Sequence, residues 1–130
     1  MKIIIIDDNK EFRLSLEHLI VQKLNYRLLG SFESGEAFLA VSTQYNPDIV
    51  LMDISMPGTD GYETTKKLIW RNPNLKIIAI TMFTDKAYLK KLIENGFKGC
   101  VYKTNIYKEL GKAITTVQNN NYYFPGDINF

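Results

Sequence analysis

The feature that most constrains this chain is a regular alternation of short apolar runs with stretches whose apolar residues recur at helical spacing. Ile3–Ile6 is a run of four isoleucines, which is typical of a strand buried on both faces of a sheet. The stretch 11–23 then places Phe12, Leu16 and Ile20 on one side of a helix. The same pair of patterns recurs four more times before residue 120. Five such units predict an α/β fold, a parallel sheet with helices on both faces.

The boundaries follow from the ends of these patterns and from the breaks between them. The predicted strands are 3–6, 27–32, 48–52, 76–80 and 99–102, and the predicted helices are 11–23, 34–41, 62–70, 85–94 and one that includes 110–117. We expect residues 1–120 to form one domain. We interpret 121–130, which opens on an asparagine and two tyrosines, as a tail or the start of a linker to an output domain; an aromatic tail packed back on the domain is the alternative.

Charge and composition exclude several classes of function. The net charge of +2 comes from 16 basic and 14 acidic residues, too balanced to favour nucleic-acid binding by this domain. The single cysteine, Cys100, excludes an internal disulfide framework and fits a reducing compartment. No apolar stretch is long enough for a signal-peptide core or a membrane span, so we expect a cytoplasmic protein without membrane contact.

Polar residues follow four of the five predicted strands. Asp7 and Asp8 follow the first strand, Asp53 the third, Thr81 the fourth and Lys103 the fifth. Since sites in an open parallel sheet form at the carboxyl ends of the strands, we expect these side chains to converge at one edge.

This residue set favours metal-assisted phosphoryl transfer. Two like charges about 4 Å apart repel by about 4 kcal/mol at an effective dielectric of 20, so a divalent cation would stabilise the carboxylates. Oxygen ligands favour Mg²⁺. A metal and an ammonium would neutralise phosphoryl oxygens, and a carboxylate can accept a phosphoryl group as an acyl phosphate. Helix capping is the simpler alternative for Asp7.

With these residues in view, the chain resembles the receiver domain of bacterial two-component response regulators over residues 1 to about 120. The matching segments are Ile-Ile-Asp-Asp-Asn (5–9), Asp-Ile-Val-Leu-Met-Asp-Ile-Ser-Met-Pro-Gly (48–58), Asp-Gly-Tyr-Glu (60–63), Ile-Ala-Ile-Thr-Met (78–82) and Lys-Gly-Cys-Val-Tyr-Lys (98–103). The resemblance implies a flavodoxin-like (βα)5 fold with strand order 2-1-3-4-5.

The resemblance also implies a role for each residue of the site. Asp53 would be the phosphoacceptor, and Asp8, Asp53 and the backbone carbonyl of Ser55 would bind Mg²⁺, with Asp7 acting through a metal-bound water. Thr81 would move to hydrogen-bond the phosphoryl group and Lys103 would pair with it. No organic cofactor is implied.

The implied function is a signalling switch rather than an enzyme with a separate substrate. The chain would catalyse only its own phosphorylation and dephosphorylation, with a histidine kinase or phosphotransfer protein as donor. Its output would be the regulation of transcription, through a C-terminal DNA-binding domain. We also expect a homodimer. Ser55 and Phe83, each two residues beyond a pocket residue, would tune water access to the acyl phosphate.

Two positions depart from the family pattern. Many receivers carry an aromatic switch residue three positions before the lysine, where this chain has Cys100, and the aromatic is displaced to Tyr102. Alternating strand geometry predicts that these two side chains share a face. Thr104 stands where many receivers have proline, which resembles receivers attached to LuxR-type helix-turn-helix domains.

Three other classes of protein compete with this interpretation. A phosphatase of the haloacid dehalogenase type would carry a second carboxylate two residues after Asp53, where this chain has Ser55. A nucleotide-binding protein would carry a glycine-rich turn after the first strand, where Asp7 and Asp8 stand. A phosphorylation-independent interaction module with the same fold is the third alternative.

Overall fold

The computed structural model describes residues 1–54, 61–82 and 86–125, with the backbone alone at residues 86 and 87. The strands of this part of the chain are β1 (Lys2–Ile6), β2 (Arg27–Phe32), β3 (Ile49–Asp53), β4 (Ile77–Thr81) and β5 (Gly99–Tyr102). Its α-helices are α1 (Lys10–His18), α2 (Gly35–Leu39), α3 (Gly61–Arg71), α4 (Lys86–Glu94) and α5 (Ile106–Gln118).

The five strands form one parallel sheet in the order β2-β1-β3-β4-β5. The predicted fold class and strand order are therefore confirmed. The order reverses between β1 and β3, which makes the carboxyl ends of these strands the expected position for a site.

Each face of the sheet carries its own hydrophobic core. Alternate residues of each strand point to opposite faces, so Ile3 and Ile5 join one core while Ile4 and Ile6 join the other. The α1/α5 core is filled by residues of those two helices, and the α2–α4 core by residues of the other three.

Two helices differ from their predicted extents by more than one residue at an end. Helix α2 ends at Leu39 rather than Val41, because the carbonyl of Leu39 accepts a hydrogen bond from Arg71 Nη1 at 2.8 Å and the chain then turns into a short 3₁₀ segment, Ser42–Gln44. Helix α1 continues as a π-helical turn over Leu19–Lys23, which carries the helical path to the end of the predicted range.

The segment after α5 lies against the sheet. Tyr123 forms an isolated parallel bridge with Gly99 at the free edge of β5. No helix in the described ranges is both long enough and apolar enough to cross a lipid bilayer.

Candidate functional site

Asp7 is held rigidly at the end of β1. Its backbone N–H donates to Phe32 O at 3.0 Å, its carbonyl accepts from Arg13 Nη1 at 2.7 Å, and its Oδ1 accepts from the N–H of Asn9 at 2.8 Å. The cap of α1 is Asn9, whose side chain accepts from Phe12 N at 2.9 Å. The capping alternative for Asp7 is therefore wrong, and its buried carboxylate is available to the site.

Asp53 and Thr81 end adjacent strands and are both 4% exposed. The start of α3 packs directly on Asp53, since a Cβ on Gly61 would lie 2.4 Å from the carbonyl oxygen of Asp53. A side chain at position 61 would push the helix away from the acceptor strand. Glycine is therefore required where the helix meets the site.

Lys103 brings positive charge to the two buried carboxylates. Its Nζ lies 2.9 Å from Asp7 Oδ2 and 3.8 Å from Asp53 Oδ2, and only 11% of its side chain is exposed. Asp7 Oδ2 accepts no hydrogen bond of good geometry from the described residues, and its contact with Lys103 is an ion pair. The ammonium also lies 4.4 Å from the centre of the Phe12 ring, a cation–π contact.

The three aspartates form one cluster of hard oxygen ligands. Carboxylate oxygens of Asp7, Asp8 and Asp53 all lie within 4.8 Å of one another, and Asp8 is the exposed member. These three carboxylates and the ammonium of Lys103 carry a formal charge of −2, and the guanidinium of Arg13, bound to the carbonyl of Asp7, reduces the charge of the surroundings to −1. Oxygen donors, excess negative charge and a buried Asp7 oxygen without a hydrogen bond are what Mg²⁺ fits. The residues present therefore fit the metal that the sequence suggested.

The predicted pocket residues Asp7, Asp8, Asp53 and Lys103 are thus brought together, with Thr81 at the end of the neighbouring strand. Ser55 and Phe83 lie outside the described residues. Sequence reasoning missed Arg13 and the ring of Phe12, which was assigned only to the core. Their signal was available, since both lie within the first helical turn after Asn9, next to the pocket.

Comparison with known proteins identifies the family of this chain. The family model for the response regulator receiver domain matches residues 3–115. The chain belongs to that family.

Relatives and solved structures of other response regulators agree with the assignment. The oxygen regulatory protein NreC of Staphylococcus aureus (strain JH9) is 35% identical over 125 residues, covering 95% of this chain and 57% of the relative. A LuxR-family response regulator from Aurantimonas sp. SI85-9A1 superposes with a TM-score of 0.91 at 27% identity, covering 98% of this chain and 91% of that one.

A third comparison is with a receiver solved with a phosphoryl mimic. The isolated receiver domain of RcsB from Salmonella enterica serovar Typhimurium, in the presence of the phosphomimetic BeF₃⁻, has a TM-score of 0.86 at 26% identity, covering 96% of this chain and 93% of that one. The chain spans only 52% to 60% of the length of the first relatives that it matches. The regulator from Aurantimonas, which this chain resembles at 27% identity, is itself of the LuxR family.

The two unusual positions of this receiver share a face, as predicted. Cys100 is buried in the α2–α4 core and Tyr102 packs partly buried against it, whereas Val101 between them belongs to the other core. Tyr102 is the register partner of Thr81 on β4. Burial raises the pKa of the Cys100 thiol to about 12, so the thiol is protonated at neutral pH and is not poised for redox chemistry.

Proposed function

We propose that this receiver is a phosphorylation switch of a two-component system and that Asp53 accepts the phosphoryl group. One observation carries the proposal: Asp53, Asp7 and Asp8 form a single carboxylate cluster, and Lys103 lies at 2.9 and 3.8 Å from two of its members. A buried carboxylate beside an ammonium at the edge of a sheet can accept a phosphoryl group without leaving its charge unpaired.

The transfer uses the carboxylate of Asp53 as nucleophile toward a phosphohistidine of the donor protein. One oxygen of Asp53 attacks phosphorus while the phosphorus–nitrogen bond breaks, and the departing imidazole nitrogen keeps the bonding electrons and takes a proton from solvent. In the reverse direction of the switch, water adds to phosphorus, the bond to Asp53 breaks, and inorganic phosphate leaves. The chain therefore acts on itself and has no separate substrate.

Mg²⁺ supplies charge neutralisation for the phosphoryl oxygens when it is bound. Asp8, Asp53 and the backbone carbonyl of Ser55 would hold it, and Asp7 would contribute through a metal-bound water. Lys103 already pairs with Asp7 and lies within 4 Å of Asp53, so a small movement of its ammonium would bring it onto a phosphoryl oxygen.

Thr81 and Tyr102 carry the response away from the pocket. Thr81 moves to hydrogen-bond the phosphoryl group. Its register partner Tyr102 acts as the aromatic switch residue, because the usual position of that residue is occupied by Cys100. Phe83 and Ser55 control the access of water. The phosphoryl group shifts this equilibrium only through its different contacts in the two states.

The partners follow from the family and from its LuxR-type members. The donor is a histidine kinase or a phosphotransfer protein, and the site of action is the cytoplasm. The output is a DNA-binding domain that regulates transcription; this is supported by DegU of Brevibacillus brevis, a transcriptional regulatory protein 30% identical to this chain, and by the DNA-bound structure of RcsB. RcsB, which resembles this chain at 26% identity, has been solved as two dimers bound to two DNAs, which supports a homodimer here.

Intact mass spectrometry tests the acceptor. After incubation with Mg²⁺ and acetyl phosphate, the parent should gain one phosphoryl group, and Asp53→Asn should gain none. Asp8→Asn should reduce the gain strongly, because one metal ligand is lost. Glu94→Gln, which removes an exposed carboxylate at the end of α4, is the matched control and should behave like the parent.

The other outcomes are equally informative. Phosphorylation of Asp53→Asn at the parent level would place the acceptor elsewhere. No gain in any variant, even with a purified histidine kinase as donor, would favour an interaction module that works without phosphorylation.

A further inference from the structure

Residues 121–125, here called the strap, are bound to the free edge of the sheet. The N–H of Cys100 donates to Tyr123 O at 2.8 Å, and the N–H of Tyr123 donates to Lys98 O at 3.1 Å. Because β5 is the last strand of the sheet, these two hydrogen bonds satisfy backbone groups that would otherwise face solvent.

A glycine makes this close approach possible. A Cβ on Gly99 would lie 2.9 Å from Tyr123 O, closer than a side-chain carbon comes to a backbone oxygen. Any other residue at position 99 would push the strap outward. Gly99 therefore allows the backbone of the strap to approach the edge of β5 closely.

The side chains of the strap hold both faces of the sheet. The phenol of Tyr123 donates a hydrogen bond to the carboxylate of Glu109 on α5, and its ring packs against the α1/α5 core. Phe124 points the other way and packs against the α2–α4 core, which contains Cys100. The strap therefore sits across the edge of the sheet as a strand would.

The strap also borders the residue that leads into the pocket. Tyr102 packs against the same core as Phe124, and both line a surface cavity of about 210 Å³ beside β5. Tyr102 is the register partner of Thr81 and immediately precedes Lys103, whose ammonium lies in the pocket. Movement of Thr81 and Lys103 toward a phosphoryl group would therefore act on Tyr102 from two sides, and the cavity gives its ring space to move.

We propose that the strap is a coupling element: phosphorylation of Asp53 moves Tyr102 into the cavity against Phe124 and loosens the strap from the edge of β5. The inference rests on the proposed phosphorylation of Asp53. It adds the path by which phosphorylation would act on the chain after residue 125. Since coupling between two sites is reciprocal, loosening the strap also favours the phosphorylated state.

Amide hydrogen exchange of the whole chain tests the proposal. The amide of Cys100 reports directly on the strap, because its hydrogen-bond acceptor is Tyr123 O. On addition of beryllofluoride with Mg²⁺, the amides of Cys100 and Tyr123 should exchange about fivefold faster or more, the lower range of typical allosteric coupling, while the amide of Ile4 in β1 stays unchanged.

Variants test the reciprocal effect. Phe124→Ala removes the contact with the α2–α4 core and should raise the affinity for beryllofluoride about fivefold or more. Trp70→Ala, which removes an aromatic residue 86% exposed on α3, is the control and should leave the affinity unchanged. If Phe124→Ala folds poorly, Tyr123→Phe removes only the hydrogen bond to Glu109 and should shift the affinity in the same direction.

Two kinds of failure are distinguishable. If beryllofluoride binds and the exchange of Cys100 does not accelerate, or if Phe124→Ala binds it no better than Trp70→Ala, the coupling is wrong and the phosphorylation switch stands. If beryllofluoride does not bind the parent at all, the proposed function fails and the coupling fails with it.

Discussion

The hydrophobic cores on the two faces of the sheet contain different kinds of side chain. The buried residues of the α1/α5 core are all aliphatic, whereas the α2–α4 core also buries Phe38, Phe97, Met52 and Cys100. The helix α3 on the second face buries the hydroxyls of Thr64 and Thr65, and neither hydroxyl finds a hydrogen-bond partner among the residues that the structure describes.

This difference separates a stable half of the receiver from an adaptable half. Branched aliphatic side chains in few rotamers form a well-specified core, while a flexible methionine and buried hydroxyls without a described partner leave packing less determined. Tyr102 and Cys100 lie on the second face. The proposed switch residue Tyr102 therefore lies on the side of the sheet where a change of packing costs less.

The largest expected effect is a loss of stability when a buried leucine is truncated. Leu110 and Leu92 lie on opposite faces of the sheet, and both are 0% exposed. Leu110→Ala on α5 should lower the free energy of unfolding by about 4–5 kcal/mol, and Leu92→Ala on α4 by about 2–3 kcal/mol, within the usual range for such substitutions. The second cost is smaller because the adaptable face can relax around the cavity. Urea unfolding of both variants measures the difference, and equal costs would contradict the contrast between the faces.

The second prediction concerns the unsatisfied hydroxyl of Thr65. Thr65→Val replaces a buried hydroxyl by a methyl group of similar shape and should raise the free energy of unfolding by about 1–2 kcal/mol. The control is Thr115→Val on α5, which removes a hydroxyl that donates to Gly111 O at 3.0 Å and should not stabilise. Thermal or urea unfolding separates the two, and a destabilised Thr65→Val would mean that the hydroxyl has a partner.

The smallest expected effect is a pH dependence at Cys100. Burial raises the pKa of this thiol from 9.0 to about 12, so the folded state holds the proton more tightly than the unfolded state. This contribution to stability is complete below the unfolded pKa and is lost as the pH rises from about 9 toward 12.

Unfolding of the parent and Cys100→Ala at pH 7 and pH 10 measures the effect, because other titrating groups cancel in the difference. The stability advantage of the parent over Cys100→Ala should shrink by about 1.4 kcal/mol at pH 10, the value of one pKa unit. An unchanged difference would indicate that solvent reaches the thiol.

Much of the candidate site could be read from the sequence, because parallel strands bring their carboxyl ends to one edge whatever the lengths of the connections. That rule sufficed to group Asp7, Asp53 and Lys103 from positions up to 96 residues apart (103 minus 7). The rule covers only strand ends, so it did not include the ring of Phe12 beneath the ammonium of Lys103. The position of Phe12 in the first turn of α1 was the available signal.

The end of α2 shows the same limit in the fold. Apolar spacing predicts a helix to Val41, and no local signal reveals that Arg71, 32 residues away, takes the carbonyl of Leu39. A helix end is decided by competition for its last carbonyls. Here one competitor is the nearby hydroxyl of Ser42, 3.4 Å from Leu39 O, and the stronger one, Arg71, comes from another element.

The sequence by itself determined the order of strands and helices, the parallel sheet and the polar residues that meet at its edge, because hydrophobic periodicity and strand ends are local properties of the chain. Only the tertiary structure decided that Lys103 lies closer to Asp7 than to Asp53, that Tyr102 stands beside Thr81, and that Tyr123 binds the edge of β5. These contacts depend on register and distance between segments remote in sequence, and distances of that kind are set by packing rather than by pattern.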